Sequence, residues 1–245
     1  MSKRFEVLNR IDREFELLKP ADRLTFRADA YPVLPIDQAS RSEVEKLVNR
    51  LFLLPSSPPN VVVFTALEPR SGCSRVCAHA ADLFASKVNA SVCLVDANLD
   101  QPSLHTRFGV PNQSGLTDIL KDVGWDMKNV TSQVPGGVLW LMTGGSPDHD
   151  RELLGRSPIL SARMAELRGR FDFVLVDAPS TSVSEAAFVL GRLADGVVVV
   201  VQANSTRRET ARLMTEEFEE NHVRVLGAVL HGRTVPIPEA IYKRL

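Results

Sequence analysis

Short, unbroken apolar runs recur along this 245-residue chain at 61–64, 91–95, 138–142, 173–176, 197–201 and 223–230. A strand with one wet face alternates apolar and polar side chains, so runs without that alternation read as strands buried on both faces. Stretches with helical spacing lie between them, near 73–87, 114–122, 157–168, 184–193 and 206–220. Ser157-Pro158 makes a good helix start, with proline at the first helical position. This alternation predicts an α/β fold: a mostly parallel sheet with helices on both faces. In such sheets ligands bind outside the carboxyl ends of the strands.

Upstream, Phe5, Leu8, Ile11, Phe15 and Leu18 fall at helical spacing over residues 3–19, which predicts an amphipathic helix stopped by Pro20. Residues 21–39 hold Pro32 and Pro35 without a period and read as an extended linker. Ser40 and Glu43 are placed as a capping box for a second helix running to about Leu54, before Pro55. Ser56 to Pro59 then form a stiff turn. The expected division is N-terminal helices and linker over 1–59, and an α/β domain over 60–245.

With 29 basic and 30 acidic residues the net charge is -1, which argues against a dedicated nucleic-acid surface. The charged start, Met1 to Glu6, is no signal peptide, and the run 197–201 is far too short to span a bilayer. Scarce cysteine (Cys73, Cys77 and Cys93) fits a cytoplasmic chain with reduced thiols. Cys73 and Cys77, four apart, could share a helix face as metal ligands, but no second pair completes a zinc site.

Chemistry is expected in the loops that leave strand ends. The first runs from Thr65 through Pro69, Arg70, Ser71, Gly72, Cys73 and Ser74 to Arg75; the second follows Asp96; the third follows Asp177. A strand, a tight loop and a helix N-terminus make a natural anion site, because free N–H groups and the helix dipole face the ligand. Acidic residues on neighbouring strands would hold a metal ion, directly or through water. The competing reading is that these aspartates merely cap the next helix.

The order and wording of the segments resemble the bacterial tyrosine kinases of capsule and exopolysaccharide synthesis, a branch of the deviant-Walker P-loop ATPases related to MinD and ParA. The resemblance covers roughly residues 40–245. It rests on Val92 to Asp96 with its continuation to His105, on Phe108 to Asn112, and on Gly115 to Leu120. Glu152-Leu153-Leu154 with Ser157, Phe171 to Pro179, Ala194 to Val198 and Val225 to Leu230 extend it. The resemblance implies ATP and Mg as cofactors. Gly72, Cys73, Ser74, Arg75 and His231 would then line the nucleotide site, Ser74, Asp96 and Asp177 would hold the metal, and Asp96 and Asp177 would be the catalytic acids.

The departures bear most on function. The family's first loop carries a lysine where this chain has Cys73, a glycine where it has Arg70, and a glutamate where it has Ser71. A charge-assisted contact to phosphate contributes roughly 1.5–3 kcal/mol, so losing the lysine should weaken nucleotide binding about tenfold to a hundredfold. If position 70 needs a positive φ, its side chain adds roughly 1 kcal/mol of strain. In the second loop Asn98 and Asp100 replace an aspartate and an arginine, and His231 stands where the family has an asparagine that meets adenine. The ring-forming Glu-x-x-Arg-x-x-Arg motif maps to Glu43, Lys46 and Asn49, and lysine is not equivalent to arginine where a planar fork is needed. Of the tyrosine cluster that family kinases carry near the C-terminus, Tyr242 remains; the other tyrosine is Tyr31.

The favoured expectation is therefore a degenerate relative, a pseudokinase, acting through protein contacts. An active tyrosine kinase that uses Arg70 or Arg75, or a MinD/ParA-like scaffold ATPase, are the alternatives. The resemblance implies a transmembrane polysaccharide chain-length or export protein as partner, at the inner face of the membrane, and self-association is open. Helix 3–19 is expected to serve that contact, self-association, or packing on the main domain.

Overall fold

The computed structural model describes residues 36–232 apart from 123, 136, 146–152, 157 and 204. The predicted helix 3–19, Glu152, Ser157, Tyr31 and Tyr242 lie outside the described residues.

The first described helix, α1 (Gln38–Val48), starts earlier than predicted. Asp37, not Ser40, is its N-cap: one carboxylate oxygen accepts the Ser40 N–H at 2.9 Å, the other the Ser40 hydroxyl at 2.7 Å. Two cap candidates three residues apart compete, and a carboxylate accepts both bonds where a hydroxyl accepts one. Glu43 does not reach back to close a box; it pairs with Lys46 at 2.6 Å. The helix ends in a π-helical turn, Asn49–Leu53, which seats Phe52 against Phe84 (centroids 4.3 Å, stacked) and edge-on to Phe173. A Lys87–Glu45 ion pair adds a second tie between α1 and the next helix.

There follow β1 (Val61–Ala66), α2 (Cys73–Lys87), β2 (Val92–Asp96), α3 (Leu104–Phe108), α4 (Leu116–Lys121), α5 (Met127–Val130), β3 (Thr131–Gln133) and β4 (Leu139–Met142). The chain continues through α6 (Leu153–Arg156), α7 (Leu160–Arg170), β5 (Phe173–Asp177), α8 (Ala186–Leu193), β6 (Gly196–Gln202), α9 (Arg208–Glu220) and β7 (Val225–His231). The seven strands form one sheet in the order β3-β4-β2-β5-β1-β6-β7. Every pairing is parallel except β3 with β4. The polar triplet Thr131-Ser132-Gln133 carries no apolar run, which is why the sequence pattern misses this edge strand.

Each central strand feeds two cores. Val61 and Val63 of β1 point into a cluster with α4, α7, α8 and α9, whereas Val62 and Phe64 point into one with α1, α2 and α3. Both faces are dry, as the unbroken apolar runs require. At the amino ends of the strands, Asp195 accepts the N–H groups of Asn60 and Val61 at 2.6 and 2.8 Å and pairs with Arg168 at 2.8 Å. This pins the start of β1, whose far end carries the candidate site.

Candidate functional site

Strand β1 stops at Ala66 and the chain turns through residues 67–72 into α2. Two residues take left-handed backbone here, Arg70 at φ 63° and Gly72 at φ 83°. Gly72 is the N-cap of α2 and offers no side chain to satisfy the first N–H groups, which leaves them available to an anion. Ser71 is buried and its hydroxyl donates to the Glu68 carbonyl. Arg70 makes the turn at the cost foreseen for a side chain in the left-handed region.

Backbone bonds lock this loop to its neighbours. Ala97 N–H donates to the Asp177 carbonyl at 2.9 Å, Ala178 N–H to Phe64 at 2.9 Å, and the Thr65 hydroxyl to the Pro179 carbonyl at 2.8 Å. The register of β2 against β5 sets Asp96 directly beside Asp177. Asn98, Asp100, Leu154, Pro179 and Ser184 line a cleft of about 300 Å³ next to this pair.

The two carboxylates differ in their partners. Asp96 is fully buried; one oxygen accepts Ser103 and Leu104 N–H at 2.8 and 2.9 Å, the other Asn98 N–H at 3.3 Å. It holds the N-terminus of α3, as a capping aspartate does. Asp177 is also buried, and neither of its oxygens has a hydrogen bond of ordinary geometry. The Ser74 hydroxyl and Cys73 thiol are close enough to favour its charged form. Burial outweighs them, and with the Asp96 charge beside it pushes the Asp177 carboxyl up to about 7. Burial likewise raises Asp96, to about 6, against the pull of its backbone N–H donors.

Cys73 occupies the first position of α2. Burial first, then the Asp177 charge, push its thiol well above the ordinary range, so it stands as a neutral thiol. Cys77, one turn on, is raised by burial and by the same carboxylate. Among the described residues no group of three or more His, Cys, Asp or Glu is arranged to hold a metal. The cysteine pair therefore makes no metal site there.

His231 ends β7 and lies over the loop: a Cβ built on Gly72 would meet its ring atoms at 2.3 and 2.4 Å. Burial, then the Arg75 charge, lower its basicity, which favours the neutral imidazole. The structure thus brings Gly72, Cys73, Ser74, Arg75, Asp96, Asp177 and His231 to one end of the sheet. One residue there escaped the sequence reading. Arg107 on α3 acts electrostatically on both carboxylates, yet its two-residue offset from His105 gives no sign of which way it points.

The donor set fits a hard cation in part. The unpaired oxygens of Asp177 with the Ser74 hydroxyl suit Mg, and Asp96, already engaged by N–H groups, would act through water. The mouth of α2 fits phosphate through backbone N–H groups, without a loop lysine.

Sheet order, phosphate-type loop and paired acids define a P-loop nucleotide-binding fold of the MinD/ParA kind. MinD from Pyrococcus horikoshii, complexed with Mg-ADP, superposes with a TM-score of 0.60 at 18% identity over 75% of this chain and 76% of that one. The kinase domain of Escherichia coli tyrosine kinase ETK superposes at 0.76 with 24% identity over 84% of this chain and 82% of that one. Within that class the chain belongs to the bacterial tyrosine-protein kinase family. Tyrosine-protein kinase YwqD of Bacillus subtilis is 30% identical over 172 residues, 70% of this chain and 72% of that protein. Tyrosine-protein kinase etk of Escherichia coli is 27% identical over 216 residues, and this chain spans 29% of its length. Tyrosine-protein kinase wzc of Salmonella typhimurium is 26% identical over 185 residues, with 25% of its length spanned. No family model matches the chain.

Proposed function

We propose that this protein is a non-catalytic member of its family, acting through protein contacts in exopolysaccharide synthesis or export. One observation carries the reading: where the family places a lysine at the mouth of α2, a neutral Cys73 thiol lies beside Asp177. Phosphoryl transfer depends on positioned positive charge around the transferring oxygens, and a thiol held in its neutral form supplies none. The His231 ring over Gly72 narrows the same mouth. The paired segment Glu43–Lys46 supports a weakened ring contact, because Lys46 is engaged within its own helix.

When bound, Mg would neutralise phosphate charge at Asp177 and Ser74. The chain's own residues would cradle phosphate with the α2 N–H groups and bring Arg75 to its flank. Retained nucleotide binding without turnover is the second reading, favoured by the unpaired Asp177 oxygens. The partner would be a transmembrane chain-length or export protein at the inner face of the membrane. No helix among the described residues is long and apolar enough to cross a membrane.

The decisive experiment incubates purified protein with radiolabelled MgATP, alone and with a tyrosine-bearing acceptor. No transfer above a Asp177→Asn control is expected. Robust transfer abolished by that substitution would overturn the non-catalytic reading.

A further inference from the structure

Two buried carboxylates side by side need compensation, because an uncompensated buried charge is strongly unfavourable. The loop supplies no cation, since Cys73 is a neutral thiol. Arg107 is the group whose position answers this need. It lies on α3, the helix whose N-terminus Asp96 grips through Ser103 and Leu104 N–H, so its backbone is fixed relative to the pair. Its Nε is shut off from solvent and has no hydrogen-bond partner. A buried guanidinium nitrogen left unbonded calls for a reason. Its charge acts on Asp96 and Asp177 and also on His79 of α2, which sets it between α2 and the acidic pair. A guanidinium keeps its charge at any ordinary pH, unlike the thiol it faces across the site.

We propose that Arg107 is the resident counter-ion of the Asp96–Asp177 pair, a positioning residue that supplies from α3 the positive charge the phosphate loop has lost. In the metal-free protein it keeps the two acids together under β2 and β5. A divalent cation at Asp177 then competes with Arg107 for the same negative charge. The inference concerns charge balance in the folded chain and does not depend on whether phosphoryl transfer occurs.

A double-mutant cycle tests it on the full chain in EDTA, without nucleotide. Arg107→Met should lower the melting temperature, and Arg107→Lys, which keeps the charge, should recover most of the loss. In an Asp177→Asn background the loss on Arg107→Met should fall by at least half, because the charge it compensated is gone. The rise in melting temperature on adding Mn²⁺ should be larger for Arg107→Met than for the parent. Equal losses in both backgrounds, with an unchanged Mn²⁺ effect, would reduce Arg107 to a packing residue and overturn the proposal. Should Arg107→Met fail to fold, Arg107→Gln and Arg107→Lys take the same comparison, and no difference between them overturns it equally. Phosphoryl transfer by the parent would end the non-catalytic reading and leave this cycle untouched.

Discussion

The imidazole of His231 and the α-carbon of Gly72 are in such close approach that a single methyl on the glycine would stand 2.3 Å from the ring. The last strand of the sheet therefore closes on the first loop, and both residues must hold their places for the mouth of α2 to keep its shape. Gly72→Ala should destabilise the fold by more than the roughly 1–2 kcal/mol of left-handed strain alone. Adding His231→Ala should recover the steric share and leave the strain. Chemical denaturation of both variants checks this; equal stability of the single and double variants would contradict the contact.

Restoring the loop cation is the direct test of what Cys73 removes. Cys73→Lys should tighten MgATP binding by about tenfold to a hundredfold, the range for a charge-assisted phosphate contact. Isothermal titration of parent and variant side by side gives the answer. Unchanged affinity would mean that another cation already serves the phosphates.

The acidic pair should leave a mark on the pH dependence of stability. Burial and the neighbouring carboxylate raise the folded Asp177 carboxyl to about 7, above an unfolded value near 3.8. Between those values the folded chain binds more protons than the unfolded one, so this group's contribution to stability falls as pH rises. The gap in melting temperature between Asp177→Asn and the parent should widen in favour of the variant from about pH 5 to about pH 8 in EDTA. A constant gap would show that Asp177 titrates normally in the fold.

Arg70 takes φ 63° where a glycine would do so freely. Arg70→Gly should stabilise the protein by up to about 1 kcal/mol, strain relief being partly offset by greater freedom of the unfolded chain. A loss of stability would reveal a contact of the Arg70 side chain that outweighs its backbone cost.

At the opposite end of the sheet, Asp195 joins the start of β1 to Arg168 through the Asn60 and Val61 N–H groups. Burial opposes its ionisation, but the Val61 N–H, Arg168 and the Asn60 N–H together hold its carboxyl below the usual range. Asp195→Ala should cost about 1–3 kcal/mol, because buried donors lose their acceptor. Urea denaturation measures it, and a cost within error of zero would mean water takes over the bonds.

The central strands were legible because a strand dry on both faces leaves a run that no other element leaves, as in 61–64 and 197–201. The helix 73–87 was legible to the residue, with a glycine before it and apolar positions at helical spacing behind. Thr131–Gln133 was not, since an edge strand with polar side chains has no pattern of its own. Asp37 was passed over for Ser40 because cap chemistry alone does not say which of two acceptors the chain turn selects. In the site, motif order brought Asp96 and Asp177 together, but their unequal bonding depends on where α3 docks. His231 over Gly72 and Arg107 beside the acids are products of register and packing between distant segments.

The sheet has two unlike margins. On one side the short antiparallel β3 blunts the border, while on the other β7 runs seven residues in parallel, with Leu230 56% exposed. Accretion of a further strand, from this chain or another, is thus biased to a single flank. That flank adjoins the His231 ring, so whatever docks there will also bear on the entrance to the phosphate loop.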